Sequence, residues 1–313
     1  MTGKRSRALA VAALLAGPIG LAACSGGTNH PAASSAVNAP PCPTTPVDVV
    51  VSVDQWGSIV SELGGNCAKV TTLLASSSVD PHDYEPSPAD AVTFGGAQLV
   101  VVNGGHYDEW ATKLAAGSAP NAPVVNAVDV SGVDRDGSNP HAWYDPAAVT
   151  KVADAVTARL AKLAPAASDY FATRRSEFAN SLKPYDELIA AIRKGATGKR
   201  YAATEGVFDY LASAVGLQNA TPAGYRAAIN NESDPSPADL DAFLRLLRSK
   251  GVDVLIYNTQ TQGSVPEQLR SAAEAAGVPV VEVTETVAPG AKSFEAWQVD
   301  QLTALAKALG VAP

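Results

Sequence analysis

The chain has 313 residues, of which 46% are hydrophobic and 17% are charged, and its formal net charge at pH 7 is −8. This length and balance are typical of a globular protein of one or two domains and exclude a disordered chain. The excess of acidic residues excludes a nucleic-acid-binding surface, because affinity for phosphates depends on lysine and arginine.

The first 23 residues are typical of an export signal. Lys4, Arg5 and Arg7 precede an uncharged, mostly apolar run over residues 8–23. This run is short for a membrane span, although a permanent anchor helix is the alternative. Removing the signal leaves 20 basic residues against 31 acidic residues, a net charge of −11.

The signal ends in Leu21-Ala22-Ala23-Cys24, which resembles the bacterial lipobox, where cleavage precedes a cysteine that receives lipid. We therefore expect lipid on Cys24 to hold the protein on the extracytoplasmic face of the bacterial cell membrane. Residues 24–46 are rich in Ser, Pro, Ala and Gly, a composition that predicts a flexible tether.

Two further cysteines, Cys42 and Cys67, follow the lipobox. Outside the cytosol such a pair is more often bridged than free, so a disulfide between the tether and the folded part is expected. Two free thiols are the alternative.

From residue 47, short apolar runs alternate with helical stretches. The predicted strands are 47–53, 68–74, 98–103, 122–128, 199–204, 252–258 and 278–284. The predicted helices between them are 56–65, 87–97, 107–117, 206–216, 236–250, 264–276 and 293–309. The pattern predicts an α/β fold of two lobes, each a parallel sheet flanked by helices.

A different pattern joins the lobes. A helix opens at Asp145-Pro146, and a second runs over about 167–195, with a kink or local break expected at Pro184. The predicted domains are therefore an N-terminal lobe (47–164), one long linking helix (165–195) and a C-terminal lobe (196–313). A bridging helix resists hinge bending, so we expect loop shifts on ligand binding instead of wide closure.

One phrase occurs twice, as "EPSPAD" at 85–90 and "DPSPAD" at 234–239. In each copy Ser is a helix cap, Pro suits the first helical position and Asp lies near the positive helix end. The repeat therefore predicts equivalent helix starts in two similar lobes, with chance recurrence of a common cap as the alternative.

Four side chains at strand ends are candidate metal ligands. His82 and His141 lie in loops of the first lobe, whereas Glu205 and Glu285 follow strands of the second. Loops at the carboxyl ends of parallel strands converge on one crevice, and two imidazoles with two carboxylates suit a divalent transition metal. Solvated or helix-capping roles are the alternative.

The segments "DPHDYEPSPAD", "NPHAWYDP", "EGVFDYLASAVGL" and "VPVVEVTET" together resemble the zinc and manganese solute-binding lipoproteins of ABC importers. The resemblance covers residues 47–309. It implies two α/β lobes bridged by a rigid helix, a metal ion held between them and an importer permease as partner.

Position by position, the resemblance implies His82, His141 and Glu205 as the first three ligands. Zinc members usually carry His at the third position and manganese members use Glu. The fourth ligand is usually Asp, for which Glu285 is the nearest match and Glu282 the alternative. This oxygen-rich set favours Mn²⁺ or Fe²⁺, whereas the Irving–Williams order favours Zn²⁺, so the metal stays open.

Three other polar residues lie near the expected crevice: His106 as an auxiliary ligand, and Asn258 and Gln260 as hydrogen-bond partners of ligands.

The predicted protein is a monomeric, non-catalytic receptor that delivers a metal ion to an ABC permease. A zinc hydrolase and an adhesion or scaffold lipoprotein with a structural metal are the alternatives.

Overall fold

The structure is a computed structural model, and it describes residues 40–75, 84–133, 139–261 and 263–312. The predicted signal peptide, Cys24, His82 and most of the predicted tether lie outside the described residues. The described residues all belong to one compact unit. Each helix among them is too short or too polar to span a bilayer.

The first lobe is built on a four-stranded parallel sheet with the order β2-β1-β3-β4. Its strands are β1 (Val47–Val53), β2 (Ala68–Leu74), β3 (Leu99–Val102) and β4 (Val124–Asn126). Its helices are α1 (Asp54–Gly64), α2 (Pro88–Gly95), α3 (Glu109–Ser118), α4 (Ala127–Ser131) and α5 (Pro146–Leu163). Strands β1 and β3 are almost wholly buried, as the continuous valine and leucine runs predict.

Two helices, α6 (Ser168–Ser181) and α7 (Lys183–Gly195), occupy the segment predicted as one long linking helix. The single bridging helix was therefore wrong in detail, and the break that Pro184 predicts lies at Leu182. Proline has no amide hydrogen for the carbonyl one turn earlier, so the helical bonding is interrupted there. Helix α6 contacts α1 and α5, whereas α7 contacts the last helix of the chain.

The second lobe repeats the first, with a parallel sheet of the order β6-β5-β7-β8. Its strands are β5 (Arg200–Ala203), β6 (Gln218–Asn219), β7 (Val254–Asn258) and β8 (Val280–Val283). Its helices are α8 (Asp209–Ala214), α9 (Ala223–Asn230), α10 (Pro237–Arg248), α11 (Ser264–Ala276) and α12 (Phe294–Leu309). The two matching strand orders confirm the predicted α/β fold of two lobes.

Each predicted strand has a counterpart, whereas β6 and α9 were not predicted. The predicted strand 122–128 is too long, because the Asn126 side chain accepts a hydrogen bond from the Asp129 amide and starts α4 there. The structure also joins Cys42 to Cys67 by a disulfide, with 5.0 Å between their Cα atoms.

The main hydrophobic core is shared by both lobes. It runs from the first sheet through α1, α5, α6 and α7 to one face of the second sheet and α12. A smaller core lies on the opposite face of the second sheet, under α9, α10 and α11. The lobes are therefore joined by packed apolar side chains as well as by the chain itself.

Candidate metal centre

Three of the four predicted ligands meet in the structure. His141, Glu205 and Glu285 each offer one ligand atom, and these atoms lie within 4.8 Å of one another. His141 Nε2 is 3.7 Å from Glu285 Oε2. The fourth candidate, His82, lies outside the described residues, so the structure does not place it.

The strand order explains why these residues meet. In the second sheet the chain crosses from one side of β5 to the other, so β5 and β7 flank the point where the strand order reverses. Glu205 follows β5, Asn258 is the last residue of β7, and Glu285 follows β8. Ligand crevices in parallel sheets lie outside the carboxyl ends of the strands at such a point.

Glu285 and Glu282 lie three residues apart but have different surroundings. Glu282 lies within β8, is exposed, and pairs with Arg270 at 2.7 Å. Glu285 is buried, with a relative exposure of 7%. The structure therefore brings Glu285, and not Glu282, to His141.

The His141 ring is oriented by Asn139. Its Nδ1 lies 2.8 Å from Asn139 Oδ1, while Asn139 Nδ2 donates to the Gly206 carbonyl at 2.8 Å. Asn139 Oδ1 can only accept a hydrogen bond, so His141 Nδ1 carries the hydrogen that is donated to it. The other ring nitrogen, Nε2, faces Glu285. A metal-binding histidine is typically held in this way through its other nitrogen. The rings of Tyr107 and Trp143 pack against His141 at centroid distances of 5.7 and 5.3 Å.

The two carboxylates share one hydrogen-bond donor. Asn258 Nδ2 lies 2.9 Å from Glu205 Oε2 and 2.8 Å from Glu285 Oε1. Thr261 Oγ1 also donates to Glu205 Oε2, and Tyr107 OH donates to Glu285 Oε2 at 3.2 Å. The predicted role of Asn258 as a partner of the ligands is therefore observed, whereas Thr261 and Tyr107 were not predicted.

The backbone of Glu285 is held from both lobes. Gln260 Oε1 accepts from the Glu285 amide at 2.6 Å, and Gln55 Nε2 donates to the Glu285 carbonyl at 2.6 Å. Gln55 lies two residues after the end of β1, so the rule that selected the ligands, a polar residue close to a strand end, could have found it. The position of Glu285 thus depends on residues of both sheets.

Tyr107 is positioned by an unusual turn after β3. Residues 104–106 all have positive φ angles, of 81°, 60° and 65°. Gly104 is required because a Cβ atom there would lie 2.1 Å from the Asn126 side chain. The buried carboxylate of Asp108 holds the turn by accepting from the Gly104 amide at 2.8 Å.

His106 lies in the same turn but outside the three-residue cluster. Its side chain is 81% exposed, and its Nδ1 lies 2.5 Å from Glu109 Oε1. Nothing in this geometry brings it to His141, so a role as an auxiliary ligand remains a prediction.

Burial and the charges of neighbouring groups shift the pKa values of Glu205 and His141. Burial, together with the negative charge of Glu285, raises the pKa of Glu205. Burial alone would lower the pKa of His141, but Glu285 and Glu205 outweigh it and raise the pKa. Two carboxylates, one buried and one half-buried, beside an imidazole are stabilised when a divalent cation neutralises them, and histidine and carboxylate are transition-metal ligands.

Residues 49–308 match the protein family described as "Zinc-uptake complex component A periplasmic". The chain belongs to this family. Among curated relatives, it is 27% identical over 219 residues to the "High-affinity zinc uptake system protein ZnuA" of Bacillus subtilis (strain 168), covering 64% of this chain and 67% of the relative. It is 25% identical over 277 residues to the "Manganese ABC transporter substrate-binding lipoprotein PsaA" of Streptococcus pneumoniae, covering 83% of each.

Solved structures of similar proteins have the same fold. The SBP FpvC from Pseudomonas aeruginosa, determined in complex with Mn²⁺, superposes with a TM-score of 0.70 at 23% identity, covering 85% of this chain and 99% of that chain. The periplasmic zinc-binding protein TroA from Treponema pallidum superposes with a TM-score of 0.70 at 20% identity, covering 85% and 99%. At these identities the likeness supports the fold alone.

Proposed function

We propose that this protein is the solute-binding lipoprotein of an ABC importer, which captures a divalent transition-metal ion between its lobes and delivers it to a permease. The observation that carries the proposal is the meeting of His141 from the first lobe with Glu205 and Glu285 from the second, within 4.8 Å. Relatives named for zinc uptake and for manganese transport support the same class of cargo.

The proposed ligands are His141 Nε2, one oxygen each from Glu205 and Glu285, and His82 from the "DPHDYEPSPAD" motif. Two neutral imidazoles and two carboxylates neutralise a divalent charge and complete a four-ligand set for Zn²⁺, Mn²⁺ or Fe²⁺. Release requires the ligands of one lobe to move away from those of the other. The proposal includes no catalytic step.

The test is metal content and affinity of the purified protein. We expect mass spectrometry to find about one transition-metal ion per chain. In calorimetric titration, His141→Ala should weaken Zn²⁺ or Mn²⁺ binding at least about 100-fold. Loss of a residue that only hydrogen-bonds a metal ligand already costs about 10- to 100-fold, and loss of the ligand itself should cost more. The control is Glu187→Ala, which removes an exposed glutamate of α7 and should leave affinity unchanged.

Two results would contradict this function. One is a wild-type protein that binds neither ion. The other is hydrolysis of ester or peptide substrates by the zinc-loaded protein, because a catalytic zinc keeps a coordination position open for water.

We also propose that lipid on Cys24 holds the receptor on the extracytoplasmic membrane face. A Cys24→Ser variant, expressed in a bacterium, should lose its lipid and move from the membrane fraction to the soluble extracytoplasmic fraction. Retention of that variant on the membrane would favour the permanent anchor helix.

A further inference from the structure

The side-chain amide of Asn258 contacts both proposed carboxylate ligands. An amide NH₂ group has two hydrogens, and the Asn258 nitrogen lies 2.9 Å from Glu205 Oε2 and 2.8 Å from Glu285 Oε1. The side chain is buried, with 1% of its surface exposed. One buried side chain therefore links the two carboxylates.

The hydrogen-bond network sets which end of this amide faces the carboxylates. Asn258 Oδ1 accepts a hydrogen bond from the Gln260 backbone N–H at 3.1 Å. A flipped side chain would place its oxygen against two carboxylates and its NH₂ group against an N–H donor. The nitrogen must therefore face Glu205 and Glu285.

These contacts limit which carboxylate oxygens can bind an ion. A carboxylate oxygen has about two lone-pair sites, and Glu205 Oε2 already accepts from both Asn258 and Thr261. This oxygen can bind an ion only by losing a hydrogen bond, which leaves Oε1 as the ligand atom. In Glu285, Oε1 accepts from Asn258 and Oε2 accepts from Tyr107 OH, and Oε2 lies 3.7 Å from His141 Nε2.

We propose that Asn258, together with Thr261, restricts Glu205 to a single metal-bound oxygen and thereby favours Zn²⁺ over Mn²⁺. Zn²⁺ is usually satisfied by four ligands, whereas Mn²⁺ is suited by octahedral, oxygen-rich coordination, to which a bidentate carboxylate contributes an extra oxygen. The inference rests on the proposed metal-binding function and adds to it a residue that sets the preferred cargo.

The experiment compares the wild type with Asn258→Ala. Zn²⁺ and Mn²⁺ affinities are measured by calorimetric competition, and the coordination number is measured by X-ray absorption at the zinc edge. Without the Asn258 donor, a lone-pair site of Glu205 Oε2 becomes available, so Glu205 can bind the ion through both oxygens. We expect the coordination number to rise by about one, and the ratio of Zn²⁺ to Mn²⁺ affinity to fall about 10-fold, within the range for partners of metal ligands.

A second variant keeps the test valid if Asn258→Ala does not fold, which circular dichroism would detect. Thr261→Val is nearly isosteric and removes one donor from Glu205 Oε2 alone, so a smaller shift in the same direction is expected. The matched control is Asn231→Ala, because Asn231 is an exposed asparagine whose amide donates to the Ala227 carbonyl near the end of α9.

The outcomes separate this proposal from the proposed function. Equal losses of Zn²⁺ and Mn²⁺ affinity with an unchanged coordination number would overturn the role of Asn258 and leave the receptor function in place. A wild-type protein that binds neither ion would overturn both.

Discussion

Two acidic side chains meet where α1 of the first lobe contacts α12 of the second. Glu62 is 7% exposed, and one carboxylate oxygen of Glu62 and one of Glu295 are buried without a hydrogen-bond partner among the described residues. Burial, followed by the negative charge of Glu295, raises the pKa of Glu62 to about 8, although Arg174 opposes the shift. A protonated Glu62 can donate to Glu295, so the pair is more stable when it holds a proton.

This pair makes stability depend on pH. The folded protein keeps the Glu62 proton up to about pH 8, whereas an unfolded glutamate loses it near about pH 4.3, so unfolding releases a proton between these values. The free energy of unfolding should therefore fall as pH rises through this window, by up to about 1.4 kcal/mol per pH unit from this group.

The Glu62→Gln substitution replaces the carboxyl group with an amide that is neutral at every pH in this window. The free energy of unfolding of the variant should therefore depend less on pH. Urea unfolding at about pH 5 and about pH 8 measures the difference, and the variant should be the more stable protein at the higher pH. The control is Glu187→Gln, an exposed glutamate on α7. An unchanged pH dependence in Glu62→Gln would contradict the buried pair.

At the scale of elements, the repeated SPAD sequence begins a helix in each lobe. Ser87 and Ser236 are the N-caps of α2 and α10, and each side chain accepts from the amide of the aspartate three residues later. In both copies the aspartate carboxylate also accepts from the serine hydroxyl. Helices α2 and α10 lead into β3 and β7, which occupy equivalent places in the two sheets.

Because the two helix starts are equivalent, loss of either serine cap should lower the free energy of unfolding by the same amount. Ser87→Ala and Ser236→Ala should each lower the free energy of unfolding by about 1 kcal/mol, because each removes the side-chain hydrogen bond that caps the helix. The double variant should lose the sum, since the caps lie in different lobes and share no partner. Urea denaturation measures the loss.

Ser176→Ala is the control, because Ser176 is exposed within α6 and its hydroxyl donates only to the Ala172 carbonyl. If this variant loses as much stability as the two cap variants, the cap explanation is wrong.

For the whole molecule, the shared core implies that metal binding does not require large lobe movements. Direct hydrogen bonds also join the lobes, such as Tyr144 OH to the Thr284 carbonyl at 2.6 Å and Gln55 Nε2 to the Glu285 carbonyl at 2.6 Å. Glu205 and Glu285 lie just beyond the ends of β5 and β8, whereas most of the buried apolar side chains lie within the sheets and helices. The fold should therefore persist without the ion.

Chelation tests this expectation. Protein treated with a chelator should keep its circular dichroism spectrum, and metal at 100 times its dissociation constant should stabilise it by about 2.7 kcal/mol. Thermal unfolding measures the shift, which His141→Ala should abolish. Small-angle scattering should give nearly equal radii of gyration with and without metal. Unfolding by the chelator would instead favour a structural ion.

Much of the fold could be predicted because its signals are local. Short runs of apolar and β-branched residues predicted the bounds of β1 and β2, and Pro184 predicted the break between α6 and α7. The strand β6 was missed because Gln218 and Asn219 are polar and exposed. The helix α9 was missed because it is short and lies between segments with stronger patterns.

The candidate site was predictable in residue type but not in geometry. His141, Glu205 and Glu285 were selected because they follow strands, and parallel strands end at one edge of a sheet. The same reasoning preferred Glu285 and kept Glu282, within the predicted strand, as the alternative. The choice between the two depends on Arg270, which pairs with Glu282 from a neighbouring helix.

The sequence by itself determined the α/β alternation, the helix starts and the types of the candidate ligands, because periodicity, capping and strand ends act over a few neighbouring residues. Only the tertiary structure decided which glutamate faces His141, which oxygens Asn258 occupies and which carboxylates are buried together. These features depend on contacts between distant parts of the chain, such as Gln55 with Glu285 across 230 positions. No local pattern encodes a contact of that kind, because it exists only after both sheets have folded against a common core.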